Sequence, residues 1–190
     1  PTPGQLTQPP RPIPFSYGLL GPDGGELAAE TRLLTQAREV IEVKNLPVRP
    51  IPSVLRGCSA PATLNIPLTL KERLALIAHD TDHYNCWATS YDLSMDIMLS
   101  LSGEARGIED IDAALTGYIS AMAEVLKSTD FSPAFKGEIL KNPTVSENSA
   151  FLISGNKKHI YVNTNDDTRL FGGGGDAPSR RLDLGETSEF

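Results

Sequence analysis

Hydrophobic and polar positions change their period once along the chain, near Pro67 to Thr69. Before that point the apolar runs are short and punctuated by turn residues. Ile13 to Leu20 (IPFSYGLL) is apolar with two aromatics, and Gly21-Pro22-Asp23-Gly24-Gly25 closes it as a turn. Arg38 to Asn45 alternates loosely, with Glu39, Ile41 and Val43 on one side and Val40, Glu42 and Lys44 on the other. A strand buried on one face has this period of two. In Val48 to Leu55, Pro50 and Pro52 stand two apart and turn their missing N–H groups to the same side, which suits an edge strand. Ala62 to Leu68 is a last extended segment. Short strands with Pro/Gly turns predict a small antiparallel sandwich, and about four strands make it an incomplete one.

After Pro67 the period becomes helical. Thr69 caps a helix from Leu70 to Ala78, with Glu72 at the capping-box position and Leu70, Leu74 and Ile77 on one face. Asp80-Thr81-Asp82 supplies the next cap. Tyr84, Trp87, Tyr91, Met95, Met98 and Leu101 then recur at three or four residues, which predicts that this stripe is the packed face of a long second helix. Ser102-Gly103 stops it. Ile108, Ile111, Leu115, Tyr118, Met122 and Val125 form the stripe of a third helix, with Leu126 beside it, and Ser132-Pro133 opens a short fourth that ends at Asn142-Pro143. Antiparallel helices with short connections follow. From Gly155 on there is no sustained helical period. Ile160-Tyr161-Val162 is a candidate strand, and Gly172 to Gly175 with the polar end to Phe190 reads as linker or disordered tail.

Composition sharpens the division. Twelve of the 15 prolines fall at or before Pro67, and none lies between Leu68 and Ser132. Proline breaks helix interiors, so the first third holds no long helix and the middle is free to. The 190 residues suit one ordinary domain or two small ones, and 39% hydrophobic with 22% charged residues is a globular composition. A net charge of -7 argues against binding nucleic acid or an anionic membrane surface. No apolar run approaches the roughly 18–20 residues of a membrane span. Pro1 to Pro10 is polar and does not read as a signal peptide. Cys58 and Cys86 are too few for a disulfide framework, so a reducing compartment, the cytoplasm, is expected.

Candidate chemistry is sparse. His79 and His83 stand four apart in HDTDH, a spacing that on one helix supports zinc, but the helical pattern breaks between them and no third ligand is evident. Dipole complementarity at one helix end accounts for His79 and a first-turn place for His83. Cys86-Trp87 at a helix start has the placement of a cysteine nucleophile, with His159 the one distant histidine as partner. The plain alternative makes Cys86 a small core or surface residue and Trp87 the anchor of its helix. Cys58, after Gly57, reads as a buried small hydrophobe. Gly172 to Gly175 lacks the Gly-Lys-Ser/Thr ending of a phosphate loop. Glu109, Asp110 and Asp112 suit the dipole of a helix start, and Met95 with Met98 reads as core rather than a cofactor box.

One stretch is specific. Val48 to Pro61, VRPIPSVLRGCSAP, closely resembles the PSLLRGFSAP signature of bacterial-type aminopeptidase N, a zinc metallopeptidase family, with Cys58 in place of its usual Phe. Pro1-Thr2-Pro3-Gly4-Gln5, Ile13-Pro14-Phe15 and Gly18-Leu19-Leu20 with Asp23-Gly24 resemble its TPGQ segment, its strand entry and its GLLDxxG hairpin. Ala78 to Ala88, AHDTDHYNCWA, resembles its AHDxDPFNRWEA helix start, with His83 for Pro and Cys86 for Arg. Leu126, Asp130, Pro133, Ala134, Glu138, Pro143, Ser146 and Glu147 fit the helix pair that follows, and after Glu147 the chain departs from the pattern.

The resemblance implies an incomplete Ig-like β-sandwich without its first strand over residues 1–67, the start of a C-terminal helical domain over 68–150, and a divergent tail over 151–190. The family's zinc ligands lie in HExxH…E and its substrate-amine anchor in GAMEN, and neither motif is in this sequence. No catalytic, cofactor-binding or metal-binding residue carries over. The expected role is therefore a non-catalytic structural part of a zinc aminopeptidase, with the other domains of that enzyme as partners and peptides met only through them. A stand-alone interaction module built on the Tyr84, Trp87 and Tyr91 face is the second expectation, and a cysteine hydrolase on Cys86 and His159 a third.

Overall fold

A computed structural model describes residues 12–36, 38–103, 107–144, 159–163 and 180–187, the last two stretches as backbone. Up to residue 144 the order is β then α, as expected. Strand β1 (Ile13–Leu20) turns through Gly21–Gly25 into β2 (Glu26–Leu34). The turn is held by the Gly21 N–H on the Gly25 carbonyl at 2.7 Å, and Gly24 sits at φ 85°, where glycine is at ease. Strand β3 (Arg38–Val43) follows, then β4 (Ile51–Val54) and β5 (Thr63–Asn65). One sheet has the order β2-β1-β4, so β4 is the edge strand that Pro52 demands. Only the hairpin resemblance implies β2: its own ELAAETRLL favours helix, and as an outer strand with mostly exposed side chains it shows no alternation.

Two further strands lie in the region read as linker or tail, β6 (His159–Asn163), which holds the candidate strand Ile160–Val162, and β7 (Arg180–Thr187). They form a second sheet of order β3-β7-β6-β5. The glycine run Gly172 to Gly175 falls outside the described residues. Phe15, Tyr17, Leu19 and Leu34 of the first sheet share one buried core with Ile41 of the second.

Four helices lie between β5 and β6: α1 (Leu70–His79), α2 (His83–Leu101), α3 (Ile111–Lys127) and α4 (Pro133–Ile139). α1, α2 and α4 begin at the expected caps, whereas α3 begins later than its stripe suggests, with Asp110 as its cap rather than inside its first turn. Thr69 and Glu72 close a reciprocal capping box, and Asp82, Asp110 and Ser132 accept from the third backbone amide of their helices. The second core joins Ile77, Cys86, Leu93, Ile97, Ala114, Met122, Val125 and Ile139.

The face of α2 differs from the expectation. Cys86, Leu93 and Ile97 pack against the other helices, whereas Tyr84 is 39% and Leu101 61% exposed. The aromatic stripe points to the sheet side instead. Small residues, Cys86, Ser90 and Ser94, occupy the inward face, where α2 meets α1 and α3. Among the described residues no helix is long and apolar enough to cross a membrane.

Candidate functional site at the junction of sheet and helices

The loop after β4 carries three left-handed residues, Leu55 (φ 56°), Gly57 (φ 63°) and Cys58 (φ 53°). For non-glycine residues this conformation costs roughly 1–3 kcal/mol each and persists only where the surroundings impose it. Here they do. Leu55 is buried, the Gly57 N–H donates to Asp82 Oδ2 at 2.9 Å, and the Ser16 N–H donates to Ser59 Oγ at 3.2 Å.

The strained loop aims Arg56 into the junction. Its Nε donates to Ser53 Oγ at 2.9 Å, one terminal nitrogen to Asp80 Oδ1 at 3.1 Å, and the other to Glu26 on β2. Gly18 makes the room: a Cβ there would lie 2.0 Å from Arg56 Cζ. From the helical side, Asn85 Nδ2 donates to Ser53 Oγ at 2.8 Å and to the Val54 carbonyl at 3.0 Å. Asp82 caps α2 through Asn85 N–H at 2.9 Å while its second oxygen holds the loop. Three short polar side chains of the Asp80–Asn85 turn thus grip the β4 loop. Beside them Leu20, Ile51 and Leu76 form a small apolar cluster between β1, β4 and α1.

Asp80 is the most buried charge in this joint, 1% exposed. Burial raises its carboxyl above the usual range, outweighing the Ser53 hydroxyl, the Asp82 amide and the Arg56 cation. Its Oδ2 has no hydrogen-bond partner.

The candidate catalytic residues do not assemble. His79 ends α1 against the β1–β2 turn, where a Gly24 Cβ would meet its own Cβ at 2.4 Å. His83 starts α2 with its ring edge-on to Phe131 and Phe135 at 5.0 and 4.7 Å. The two imidazoles belong to different helices and face different neighbours, so they do not fit zinc. Among the described residues no three His, Cys, Asp or Glu side chains form a metal-holding group. Cys86 donates its thiol to the Ile77 carbonyl at 3.0 Å, and burial pushes it up to about 12. A nucleophile needs the opposite shift. His159 opens β6, and its side chain lies outside the described residues. Cys58 is exposed rather than buried. Asp110 and Asp112 serve the start of α3, as expected, while Met95 is buried.

The aromatic stripe lines a groove of about 830 Å³ between α2 and the β4–β5 side, walled by Tyr84, Trp87, Tyr91, Met95, Leu64 and Ile66. Arg56, Asp80, Asp82 and Asn85 sit in the two motifs quoted above, yet nothing in their spacing pairs them. The available signal is an arginine inside a Pro-flanked apolar loop, which once buried requires a carboxylate.

Comparison with known proteins agrees with this architecture. Residues 1–67 match the family described as a domain of unknown function (DUF3458) with an Ig-like fold, and residues 70–165 its companion, DUF3458_C, described as ARM repeats. The chain is 36% identical over 130 residues to aminopeptidase N of Caulobacter vibrioides, covering 68% of this chain and 15% of that protein. The crystal structure of Legionella pneumophila aminopeptidase A in complex with aspartic acid aligns at a TM-score of 0.61 and 25% identity, over 73% of this chain and 16% of that one. The chain spans less than a fifth of the length of either relative. It belongs to the aminopeptidase N-type family, carrying that family's Ig-like domain and, after it, its ARM-repeat helical domain.

Proposed function

We propose that this chain is the non-catalytic bridge of a zinc aminopeptidase, an Ig-like domain and a helical domain locked together so that the rest of the enzyme is held in place. The observation that carries this reading is the joint. The residues that match the family's two motifs, Arg56, Asp80, Asp82 and Asn85, bind each other across the junction. The hydrogen bonds they make across the junction run to one another and to β4 and its loop, and Asp80 Oδ2 lacks a partner. Zinc, the zinc-bound water that attacks the peptide and the site for the substrate amine belong, on this reading, to other domains of the enzyme. The compartment we assign is the cytoplasm, in keeping with two free thiols, Cys58 and Cys86.

The test is the metal content of the purified chain, paired with hydrolysis of alanyl and leucyl amides. Absence of both zinc and turnover is expected. Stoichiometric zinc together with turnover overturns the reading. A second reading, a protein-interaction module, draws on the groove of Tyr84, Trp87 and Tyr91. Sedimentation distinguishes it: concentration-dependent association favours the module, and a monomer at all concentrations counts against it.

A further inference from the structure

The second sheet is built from two sources. Its outer strands β3 and β5 lie within the residues that match the Ig-like family, and its inner strands β7 and β6 lie beyond them. Three strand spacings of about 4.8 Å separate β3 from β5, roughly 14 Å that no described residue of 12–67 bridges. We propose that the Ig-like domain holds a strand-acceptor slot between β3 and β5, closed in cis by a C-terminal strand donor, β7 with its partner β6. This goes beyond the bridging role and does not depend on it.

Register is the argument. Ile41, buried in the sandwich core, pairs with Leu182, and Glu39 with Leu184. Leu184 pairs with Val162, and Ile160 pairs with Leu64, which packs on the same core. On β7 the positions in phase with Ile41 are Arg180, Leu182, Leu184 and Glu186, and on β6 those in phase with Leu64 are Ile160 and Val162, so the apolar positions stand mid-strand on β7 and its charged ones toward the two ends. The alternate positions of β7, Arg181, Asp183, Gly185 and Thr187, are polar or small. A one-residue slip inverts every one of these assignments. Apolar alternation on an unrelated tail has no reason to be in phase with a core it does not complete. The donor also supplies both neighbours that inner-strand hydrogen bonding requires: β7 is antiparallel to β3 and to β6, and β6 runs parallel to β5.

The slot is tested by cross-linking in the full chain. Val40 and Asp183 are register partners on the polar side. In a Cys58→Ser background, the pair Val40→Cys with Asp183→Cys is expected to oxidise to an intramolecular disulfide on the monomer. The control pair Val40→Cys with Thr187→Cys, four residues or about 13 Å off register, is expected to lag. Equal rates for the two pairs overturn the proposal. A cross-linked dimer as the main product overturns closure in cis and places the donor in a second copy. Independently, Asp183→Pro removes an inner-strand donor. It is expected to lower amide-exchange protection of residues 38–43 about tenfold or more while α2 and α3 keep theirs. A synthetic peptide of residues 178–190 is expected to restore that protection. Unchanged protection of β3 in the proline variant, or no restoration by the peptide, overturns the acceptor slot. Should the proline variant fail to fold, the cross-link, read in a folded chain, decides.

Discussion

Arg56 serves acceptors on three elements at once, and its planar fork is suited to that in a way a lysine ammonium is not. Arg56→Met leaves Asp80 charged, buried and unpaired, a situation that costs about 3–5 kcal/mol. Urea denaturation is expected to show a loss of that size, with Arg56→Lys recovering only part of it. Gly18→Ala reaches the same end from the other side, because its methyl would occupy the place of the guanidinium carbon. A Gly18→Ala protein as stable as the parent would sink this account. Asp80 also sets a pH dependence. Its folded pKa is raised, so the folded chain holds that proton more tightly than the unfolded chain does. The stability this brings is fully present below about pH 4, the ordinary carboxyl range, and is lost as pH rises through the folded pKa. Relative to Asp80→Asn, the parent should lose ground as pH rises from about 4 and then level off; a flat or rising difference contradicts the assignment. None of this was legible from spacing, because Arg56 and Asp80 stand 24 positions apart and only the fold brings them together.

The caps of α1, α2 and α4 are legible because capping is local: a hydroxyl or carboxylate and the amide three residues on settle it, while three acidic residues crowd the start of α3 and hide which of them is the cap. Strand β4 was legible for a similar reason, since two prolines on one edge leave few places in a sheet. Two features were not. Strand β2 draws its pairing from β1, and its own residues favour another structure. On α2 the large aromatics mark the groove side, while the helix–helix contact is made by Cys86, whose smallness lets α1 approach. Its thiol donates across that contact to Ile77. Two outcomes follow for the thiols. A thiol reagent on the folded protein should modify Cys58 and spare Cys86 until denaturant is added; rapid modification of both at pH 8 is inconsistent with this packing. Because the Cys86 pKa is pushed up to about 12, its contribution to stability is whole below about pH 8.5 and declines as pH rises toward 12.

Two cores and one joint describe the whole molecule. The sandwich core centres on Phe15, Tyr17, Leu19 and Ile41, and the helical core on Ile77, Leu93, Ala114 and Val125. Between them the apolar contact is small, Leu20 and Ile51 against Leu76, so the polar grip of Arg56, Asp80, Asp82 and Asn85 must supply most of the coupling. A bridge between domains has to transmit position, and a small apolar contact alone permits sliding where directed hydrogen bonds do not. The consequence is measurable as cooperativity. In the parent chain the two cores should unfold in one transition, read by amide exchange at Leu93, Ile97 and Val125 for the helical core and at Phe15, Tyr17 and Leu19 for the sandwich. Combining Arg56→Met with Asn85→Ala removes the cation and both bonds to β4 while leaving each core intact. The two sets of amides should then part, the sandwich reporting a lower denaturant midpoint than the helical core. Coincident midpoints in the double variant would show that the apolar contact alone couples the domains, and that the family motifs at this junction serve something other than the joint.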